Sequence, residues 1–337
     1  MSTRAPLWQR ILAFPALRRA GGFPPLGGAD ATLLTSDPSA PVRTDGLVRE
    51  MGRSLRQLKV LTKFNIAVLS TFSAGTGYLL AARSLHWEML VALAGTLLLS
   101  CGAGALNEVQ EWRTDALMAR TRNRPIPAGQ ITPSGALAVA LLLLIGGESV
   151  LLIGFGGLCA LLGAAAVVSY NFFYTPLKRL TAFAVVPGSI IGAIPPAIGW
   201  VAAGGRVVDG GLLALGFFFF VWQIPHFWLL LLKYGDQYER AGFPTLTQLF
   251  SPGQLSRITC VWMMATAFSS LLLPLFDVVR SLPSVAGLVL CAVGLAWASR
   301  KLFSAGKGFS PGVAFMQINL FALAVMLACG LDPLLVR

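Results

Sequence analysis

The sequence contains nine stretches of about 20 mostly apolar residues, each long enough to cross the hydrocarbon core of a bilayer as an α-helix. The stretches lie approximately at 64–82, 87–105, 135–153, 156–174, 183–203, 211–232, 258–276, 282–299 and 313–331. Charged residues make up only 12% of the chain, about half of the share that is usual in a soluble domain. The sequence therefore predicts an all-α polytopic membrane protein with nine transmembrane helices.

The distribution of basic residues among the connecting segments predicts the orientation of these helices. If the N-terminus is cytoplasmic, 22 of the 26 Lys and Arg residues fall on the cytoplasmic side, and the other side holds Arg83, Arg206, Arg280 and Arg337. Cytoplasmic segments of membrane proteins are enriched in Lys and Arg. We therefore expect a multi-pass protein of the bacterial inner membrane, or an equivalent membrane, with its C-terminus opposite the cytoplasm. The asymmetry accounts for the net charge of +12 without nucleic-acid binding.

Composition divides the chain into a tail and a membrane domain. Residues 1–50 are rich in Pro, Gly, Ala and Arg and show no sustained helical periodicity, which is typical of a segment that builds no core of its own. We therefore expect a mobile cytoplasmic tail over residues 1–55 and a nine-helix domain over residues 56–337. The five cysteines include no C-x-x-C pair, which argues against a metal centre held by thiolates.

Candidate metal ligands follow the second apolar stretch. Asn107, Glu111 and Asp115 are four residues apart, so on a helix that continues beyond the membrane they form one stripe with a drift of about 40° per step. Amide and carboxylate oxygens suit Mg²⁺, which proteins commonly hold with one or two carboxylates and the phosphates of a substrate. Arg120 and Arg124 lie just beyond the stripe and can neutralise phosphate charge. The alternative is a solvated loop in which these acids and arginines pair with one another.

Two further cytoplasmic regions hold polar and aromatic candidates. The connection after the fourth stretch contains Tyr174, Lys178 and Arg179, which taken alone are ordinary anchors at a membrane interface. Gln223 and His226 lie in the cytoplasmic half of the otherwise apolar sixth stretch. Polar side chains at such positions are costly and commonly functional, but hydrogen bonds between helices explain them equally well.

Four groups of residues, in this order, resemble the intramembrane prenyltransferases of the UbiA superfamily. The groups are Asn107-x-x-x-Glu111-x-x-x-Asp115 with Arg120-Thr121-x-x-Arg124-Pro125, Tyr174-Thr175-x-x-Lys178-Arg179-x-Thr181, Gly192-Ala193-Ile194-Pro195-Pro196-Ala197-Ile198-Gly199-Trp200, and Trp222-Gln223-x-Pro225-His226-Phe227 with Tyr238-x-Arg240-Ala241-Gly242. The resemblance runs from about Val60 to the C-terminus. Within the superfamily, these residues are most similar to the protohaem IX farnesyltransferase branch.

This resemblance implies a fold, an activity and a set of substrates. The nine helices are expected to surround a central cavity that opens sideways to lipid and is capped by cytoplasmic loops. The implied reaction is Mg²⁺-dependent transfer of a farnesyl group from farnesyl diphosphate to the vinyl group of haem b, which gives haem O. The expected partners are therefore farnesyl diphosphate, haem b as the acceptor substrate and the lipid bilayer, with Mg²⁺ as the cofactor.

The resemblance also implies roles for individual residues. The residues implied in the reaction are Asn107, Glu111, Asp115, Arg120, Arg124, Lys178 and Arg179. The residues implied in substrate binding are Tyr174, Gln223, His226, Asp236, Tyr238 and Arg240. The implied metal ligands are Asn107, Glu111, Asp115 and Asp236. The chain departs from the family pattern at four places. Gln237 stands immediately before Tyr238 where members usually have Asp, and Lys63 is followed by Phe64 rather than by Pro. Glu111 stands where many members have Asp, and the Asn that often follows Thr181 is absent from residues 182–184.

Alternatives stay open for one residue and for the function as a whole. His226 is expected to position the haem, by ligating its iron or by a hydrogen bond to a propionate or to Gln223. One rival function is a UbiA-type prenyltransferase that acts on a quinone precursor or another aromatic acceptor. A rival of a different class is a transporter, because nine helices and an intramembrane carboxyl such as Glu148 are features that an ion or substrate pathway could use.

Overall fold

The computed structural model describes residues 44–303 and 310–336, and within these ranges the chain is helical and has no β-strand. Nine of the described helices are long and apolar enough to span a membrane, which confirms the predicted fold class. In chain order the helices are α1 (Thr44–Leu61), α2 (Phe64–Ala82), α3 (Glu88–Asp115), α4 (Pro133–Phe155), α5 (Gly157–Leu177), α6 (Val185–Ala202), α7 (Gly210–Arg240), α8 (Pro252–Leu275), α9 (Leu282–Phe303) and α10 (Pro311–Leu335).

Helix α1 begins within the stretch that was expected to be a mobile tail, residues 1–55. Residues 44–55 are helical, whereas residues 1–43 of the expected tail lie outside the described residues. Met51, Leu55 and Leu58 recur at intervals of one helical turn and are exposed, with Arg53 and Arg56 between them and Lys59 directly after them. This spacing of apolar and basic residues favours an amphipathic helix. It explains why residues 44–55 are helical although they were grouped with the Pro- and Gly-rich tail.

Helices α3 and α7 are longer than a membrane crossing requires. They contain 28 and 31 residues, whereas about 20 are enough, so each has extra turns beyond the apolar span. These turns, residues 107–115 of α3 and 234–240 of α7, define what we call the motif end of the bundle. The continuation of α3 through Asp115 confirms the helix on which the predicted stripe of oxygen ligands depends.

Small residues let α2 and α6 approach each other closely. A Cβ atom added to Gly77 would lie 2.0 Å from the carbonyl oxygen of Pro196, and one added to Gly199 would lie 1.8 Å from that of Ala74. No side chain fits at these distances, so only glycine permits this contact between the two helices. Pro196 lies inside α6, where helix packing tolerates it.

The largest buried apolar cluster packs α7 against α8, α9 and α10. Its members include Phe218 and Leu229 from α7, Met263 from α8, Leu295 from α9 and Ile318 from α10. Lipid tails are as apolar as these side chains, so close packing and hydrogen bonds between helices, rather than exclusion from water, hold such helices together. The cluster fixes α7 beside α10 near the middle of both helices.

Candidate active site

The predicted ligand stripe on α3 is buried at the motif end. Asn107, Glu111 and Asp115 expose 1%, 5% and 2% of their surface, and Glu108 beside them exposes 1%. Charged side chains are almost never this buried without partners. The predicted ligands therefore do not lie in a solvated loop, although the pairing of acids with arginines that the same alternative predicted is present between Asp115 and Arg124.

The three carboxylates at the motif end of α3 each face a basic side chain from another segment. Lys178 Nζ lies 2.7 Å from Glu111 Oε2, and Arg124 Nη1 lies 2.7 Å from Asp115 Oδ2. Arg124 also reaches Glu108, with Nε 3.5 Å from Oε1. Although burial opposes its charge, Asp115 and Glu108 raise the pKa of Arg124 above its ordinary value. The acids and bases that the sequence placed on separate segments therefore form one buried charge cluster.

Lys63 is a member of this cluster that the sequence analysis noted only as a departure from the family pattern. It lies between α1 and α2, donates hydrogen bonds to Asn107 Oδ1 and to the hydroxyl of Tyr170, and lies 3.1 Å from the latter. Burial and the neighbouring Arg124 lower the pKa of Lys63 to about 8. Its φ of 50° is in the left-handed region, which costs a residue with a side chain about 1–2 kcal/mol.

Glu108 is a second member that the sequence analysis missed. It precedes Asp115 by seven residues, so the two differ by only about 20° around the helix, and this spacing is the signal that would have found it. Among residues 44–303 and 310–336, no group donates a hydrogen bond to either oxygen of Glu108 or to Glu111 Oε1. Buried polar atoms without a donor are unusual and call for an explanation such as an ion, so these oxygens leave the cluster able to accept a cation.

A π-helical turn of α5, Val168–Tyr174, faces the charge cluster. Asn171 within it donates from Nδ2 to the carbonyl of Ala103 at 3.0 Å and to Gln110 Oε1 at 3.2 Å, which ties α5 to α3. Asn107 Nδ2 donates to Thr175 Oγ1 at 2.9 Å and adds a second tie. Such wide turns occur mostly inside α-helices and frequently at functional sites, and this one brings aromatic rings to the cluster.

Aromatic rings surround the ammonium group of Lys178. The nitrogen lies 5.7 Å from the ring centre of Tyr174 and 5.8 Å from that of Phe243. Tyr174 in turn stacks with Tyr170 at a centroid distance of 6.2 Å. Arg179, the next residue, is exposed and donates to the carbonyl of Gln110 at 3.1 Å. Lys178 and Tyr174 therefore belong to the buried cluster, whereas Arg179 lies at its rim.

Arg120 links the motif ends of α3 and α7. Its backbone N–H donates to Gln237 Oε1 at 3.2 Å and its Nη2 donates to the Tyr238 hydroxyl at 2.8 Å. The guanidinium also lies over the rings of Tyr234 and Tyr238, 5.5 and 5.8 Å from their centres. The structure therefore brings Arg120 and Tyr238 together, as sequence reasoning expected of members of one site.

The structure does not bring Asp236 to the carboxylates of α3, contrary to the expectation that it supplies a metal ligand. Successive residues of a helix point about 100° apart. Because Gln237 and Tyr238 contact Arg120, the side chain of Asp236 is turned away from Arg120, and it is exposed. Arg240 ends α7 and is also exposed. Gln237, rather than the acid before it, occupies the position that contacts Arg120.

The two polar residues within the apolar part of α7 have different partners. Gln223 Oε1 accepts a hydrogen bond of 3.0 Å from the backbone N–H of Gly192 in α6, which is the interhelical bond considered as its alternative role. His226 Nδ1 lies 2.8 Å from Asn319 Oδ1 in α10. Sequence reasoning did not identify Asn319, because nothing in the sequence pairs α7 with α10.

No preformed set of metal ligands exists among the residues that the structure describes, since no three His, Cys, Asp or Glu side chains converge on one point. The physical reason is visible in the ion pairs: Arg124 and Lys178 lie against the oxygens of Asp115 and Glu111. The donor set itself, an amide oxygen and carboxylates with uncommitted oxygens, fits Mg²⁺.

Comparison with known proteins identifies the family. The model of the UbiA prenyltransferase family matches residues 68–329. The chain belongs to this family. It is 40% identical to the protoheme IX farnesyltransferase of Geobacter sulfurreducens, over 81% of this chain and 99% of that protein. It is 34% identical to the protoheme IX farnesyltransferase of Oleidesulfovibrio alaskensis, over 83% of this chain and 97% of that protein.

Solved structures agree on the fold of this UbiA-family chain. A digeranylgeranylglyceryl phosphate synthase superposes with a TM-score of 0.67 at 13% identity and covers 84% of this chain and 100% of its own. A UbiA homologue of Archaeoglobus fulgidus bound to DMAPP and Mg²⁺ superposes with a TM-score of 0.60 at 13% identity, covering 83% of this chain and 100% of its own. The predicted membership of the UbiA superfamily is confirmed, and the chain is an integral multi-pass prenyltransferase.

Proposed function

We propose that this chain transfers the farnesyl group of farnesyl diphosphate to a vinyl group of haem b and thereby forms haem O. The carbon–oxygen bond to diphosphate breaks, a carbon–carbon bond to the vinyl group forms, and water adds to the other vinyl carbon with loss of a proton. The relatives named for protoheme IX farnesylation support this acceptor. The observation that carries the proposal is the buried cluster in which amide and carboxylate oxygens of α3 meet Lys63, Arg124 and Lys178.

The basic residues of the cluster are suited to a departing diphosphate. Arg124 and Lys178 already lie against carboxylates, so their charges are held in place before substrate arrives. Fixed charges that need no reorganisation stabilise a developing anion by several kcal/mol. In our proposal Lys63 adds a third positive charge from the connection between α1 and α2, and Arg120 and Arg179 extend the anion site at the rim.

The oxygens of α3 are suited to Mg²⁺. In our proposal Asn107, Glu111 and Asp115 hold the ion, and Glu111 Oε1, to which none of the described residues donates a hydrogen bond, is an available oxygen. When bound, the ion supplies positive charge that offsets the charge developing on the diphosphate. A UbiA homologue bound to GPP and Mg²⁺, of similar fold, is compatible with this cofactor.

The aromatic residues beside Lys178 are suited to an allylic cation. Tyr170, Tyr174 and Phe243 present ring faces next to the position proposed for diphosphate. Such faces attract cations and exclude water, which would otherwise capture the farnesyl cation. In our proposal, the haem binds further along α7, where Gln223 and His226 lie.

We also propose that the motif end faces the cytoplasm. Arg120, Arg124, Lys178 and Arg179 are at or near that end, which agrees with the enrichment of basic residues on the cytoplasmic side of membrane proteins. The C-terminus would then lie opposite. Labelling of single cysteines introduced at Arg122 and at Arg206 by a membrane-impermeant reagent in intact cells tests this orientation, since only the second should react.

Mass spectrometry of extracted haems tests the proposed reaction. We expect membranes of a host that lacks its own haem O synthase to contain haem O only when it expresses this chain, and not when it expresses the Asp115→Asn variant. Diphosphate release by the purified chain should require haem b in addition to farnesyl diphosphate. Two results overturn the proposal. One is diphosphate release that depends on a quinone precursor instead of haem b, and the other is the absence of haem O from the culture that expresses the unmodified chain.

A further inference from the structure

We propose that Asn319 is a positioning residue that holds His226 in the one tautomer able to ligate the iron of haem b through Nε2. The inference rests on the proposed function, because it names the contact that would hold the acceptor substrate. It concerns a pair of residues near the middle of α7 and α10, away from the buried charge cluster. Iron coordination through Nε2 changes no oxidation state and breaks no bond.

The amide of Asn319 has a defined direction. Its Nδ2 donates to the backbone carbonyl of Phe315 in the preceding turn of α10, with 2.6 Å between the atoms. An amide has its two donors on nitrogen and its acceptor on oxygen, so Oδ1 is the atom directed at His226, 2.8 Å from Nδ1. Since Oδ1 only accepts, Nδ1 of His226 carries the hydrogen.

This tautomer leaves a lone pair on Nε2. In a neutral imidazole one nitrogen is a donor and the other an acceptor, so with hydrogen on Nδ1 the acceptor is Nε2. Among the residues that the structure describes, no hydrogen bond occupies Nε2. Histidines that ligate metals almost always donate their other N–H to an oxygen, which sets the tautomer and the ring orientation. The pair of His226 and Asn319 has this arrangement.

The surroundings of His226 suit a flat apolar ligand. Its ring lies 4.8 Å from that of Trp222, 4.7 Å from that of Phe315 and 5.3 Å from that of Phe227, between centroids. Trp222 and Phe315 are tilted to the imidazole by 45° and 42°. A histidine nitrogen is one of the ligands that proteins use for haem iron, and the rings beside His226 add apolar surface for the porphyrin.

His226 also lies on the same face of α7 as Tyr234, a residue of the motif end. Residues 226, 230 and 234 are successive i+4 neighbours, so they share one stripe of the helix with a drift of about 40° per step. Tyr234, at the far end of this stripe, lies beneath the guanidinium of Arg120. The eight residues from His226 to Tyr234 rise about 12 Å along the axis, so a haem bound at His226 would lie on the same side of α7 as Tyr234, which contacts Arg120 of the proposed anion site.

Absorption titrations of the detergent-solubilised full-length chain test the proposal. Haem b is compared with metal-free protoporphyrin IX, which has the same shape and no iron to ligate. We expect Asn319→Leu to weaken haem b binding by about 10-fold or more and to change the haem spectrum, with protoporphyrin affinity unchanged. Asn319→Asp retains an acceptor for Nδ1 and should keep both the ligation and most of the affinity.

Two histidine variants complete the test. His226→Ala should lose the histidine-ligated spectrum and regain it when imidazole is added. His86→Ala is the matched control, because that histidine is exposed and pairs with Ser84 Oγ at 2.7 Å, so its haem spectrum should equal that of the unmodified chain. Retention of the unmodified melting temperature and of farnesyl diphosphate binding verifies that each variant folds.

Three results overturn the proposal. One is an unchanged haem spectrum and affinity in His226→Ala, and another is an unchanged spectrum and affinity in Asn319→Leu. The third is an equal loss of haem b and protoporphyrin binding, which would assign the pair to helix packing. If Asn319→Leu does not fold, Asn319→Asp and His226→Ala decide. Formation of haem O by the unmodified chain is measured separately, so failure of the proposed function is distinguished from failure of this ligation.

Discussion

Lys178 Nζ lies 2.7 Å from Glu111 Oε2, so a residue proposed to bind diphosphate and a residue proposed to hold Mg²⁺ contact each other directly. The pair joins the end of α5 to α3, and its side chains expose only 22% and 6% of their surface. A buried pair of this kind is costly to break one partner at a time. In the proposed reaction, Lys178 can exchange the negative charge of Glu111 for that of the diphosphate. Glu111 can exchange the positive charge of Lys178 for that of Mg²⁺.

A double-mutant cycle tests this relationship. Glu111→Gln and Lys178→Met should each lower kcat by about 100-fold or more, since each removes a fixed charge next to the reacting group. The double variant should be less impaired than the product of the two effects, because residues in contact couple by about 0.5–3 kcal/mol. The rate of diphosphate release is the measurement. Glu148→Gln on α4 is the matched control and should leave the rate unchanged; strictly multiplicative effects would contradict the coupling.

Removal of the metal provides a second prediction. Chelation by EDTA should stop haem O formation and added Mg²⁺ should restore it, because the charge of diphosphate needs more compensation than the basic residues supply. Asp115→Asn should raise the Mg²⁺ concentration needed for half-maximal activity. Mn²⁺ binding measured by electron paramagnetic resonance provides a readout that does not depend on turnover. Full activity in EDTA, or unchanged Mn²⁺ binding in the variant, would refute the assignment.

Arg124 and Arg120 should differ in their contribution to stability. Arg124 exposes 20% of its side chain and bridges Asp115 and Glu108, so Arg124→Met leaves two buried carboxylates unpaired and should cost about 3–5 kcal/mol. Arg120 is exposed, and loss of an exposed charged contact costs about 1 kcal/mol or less. The apparent melting temperature in detergent is the measurement. Equal shifts in the two variants would show that Arg124 is not held as the structure describes.

The nine helices and the α3 stripe were predictable because they depend on properties local in sequence. Apolar stretches of sufficient length must span a bilayer as helices, and the spacing of Asn107, Glu111 and Asp115 places them on one side of any helix that continues so far. The structure agrees with both predictions. Membership of the UbiA family was also predicted correctly from residue types in order.

The partners of these residues were not predictable because they depend on the packing of distant segments. Lys63 meets Asn107 through a left-handed backbone conformation, and Asn319 meets His226 because α7 packs beside α10. The π-helical turn that directs Asn171 toward α3 leaves no recognised pattern in the sequence. Glu108 is the exception, since its position relative to Asp115 follows from helix geometry alone.

The last prediction concerns the neighbours Asp236 and Gln237, for which sequence and structure point to different residues. Gln237 Oε1 accepts from the backbone of Arg120, whereas Asp236 is exposed. Gln237→Leu should therefore release the loop that carries Arg120 and raise the KM for farnesyl diphosphate by about 10-fold, the equivalent of one hydrogen bond of about 1.4 kcal/mol. Asp236→Asn, the matched control, should leave both kcat and KM within about twofold of the unmodified chain, as surface substitutions usually do. A larger loss in Asp236→Asn would return the metal-ligand role to the acid, and would require α7 to rotate when substrate binds.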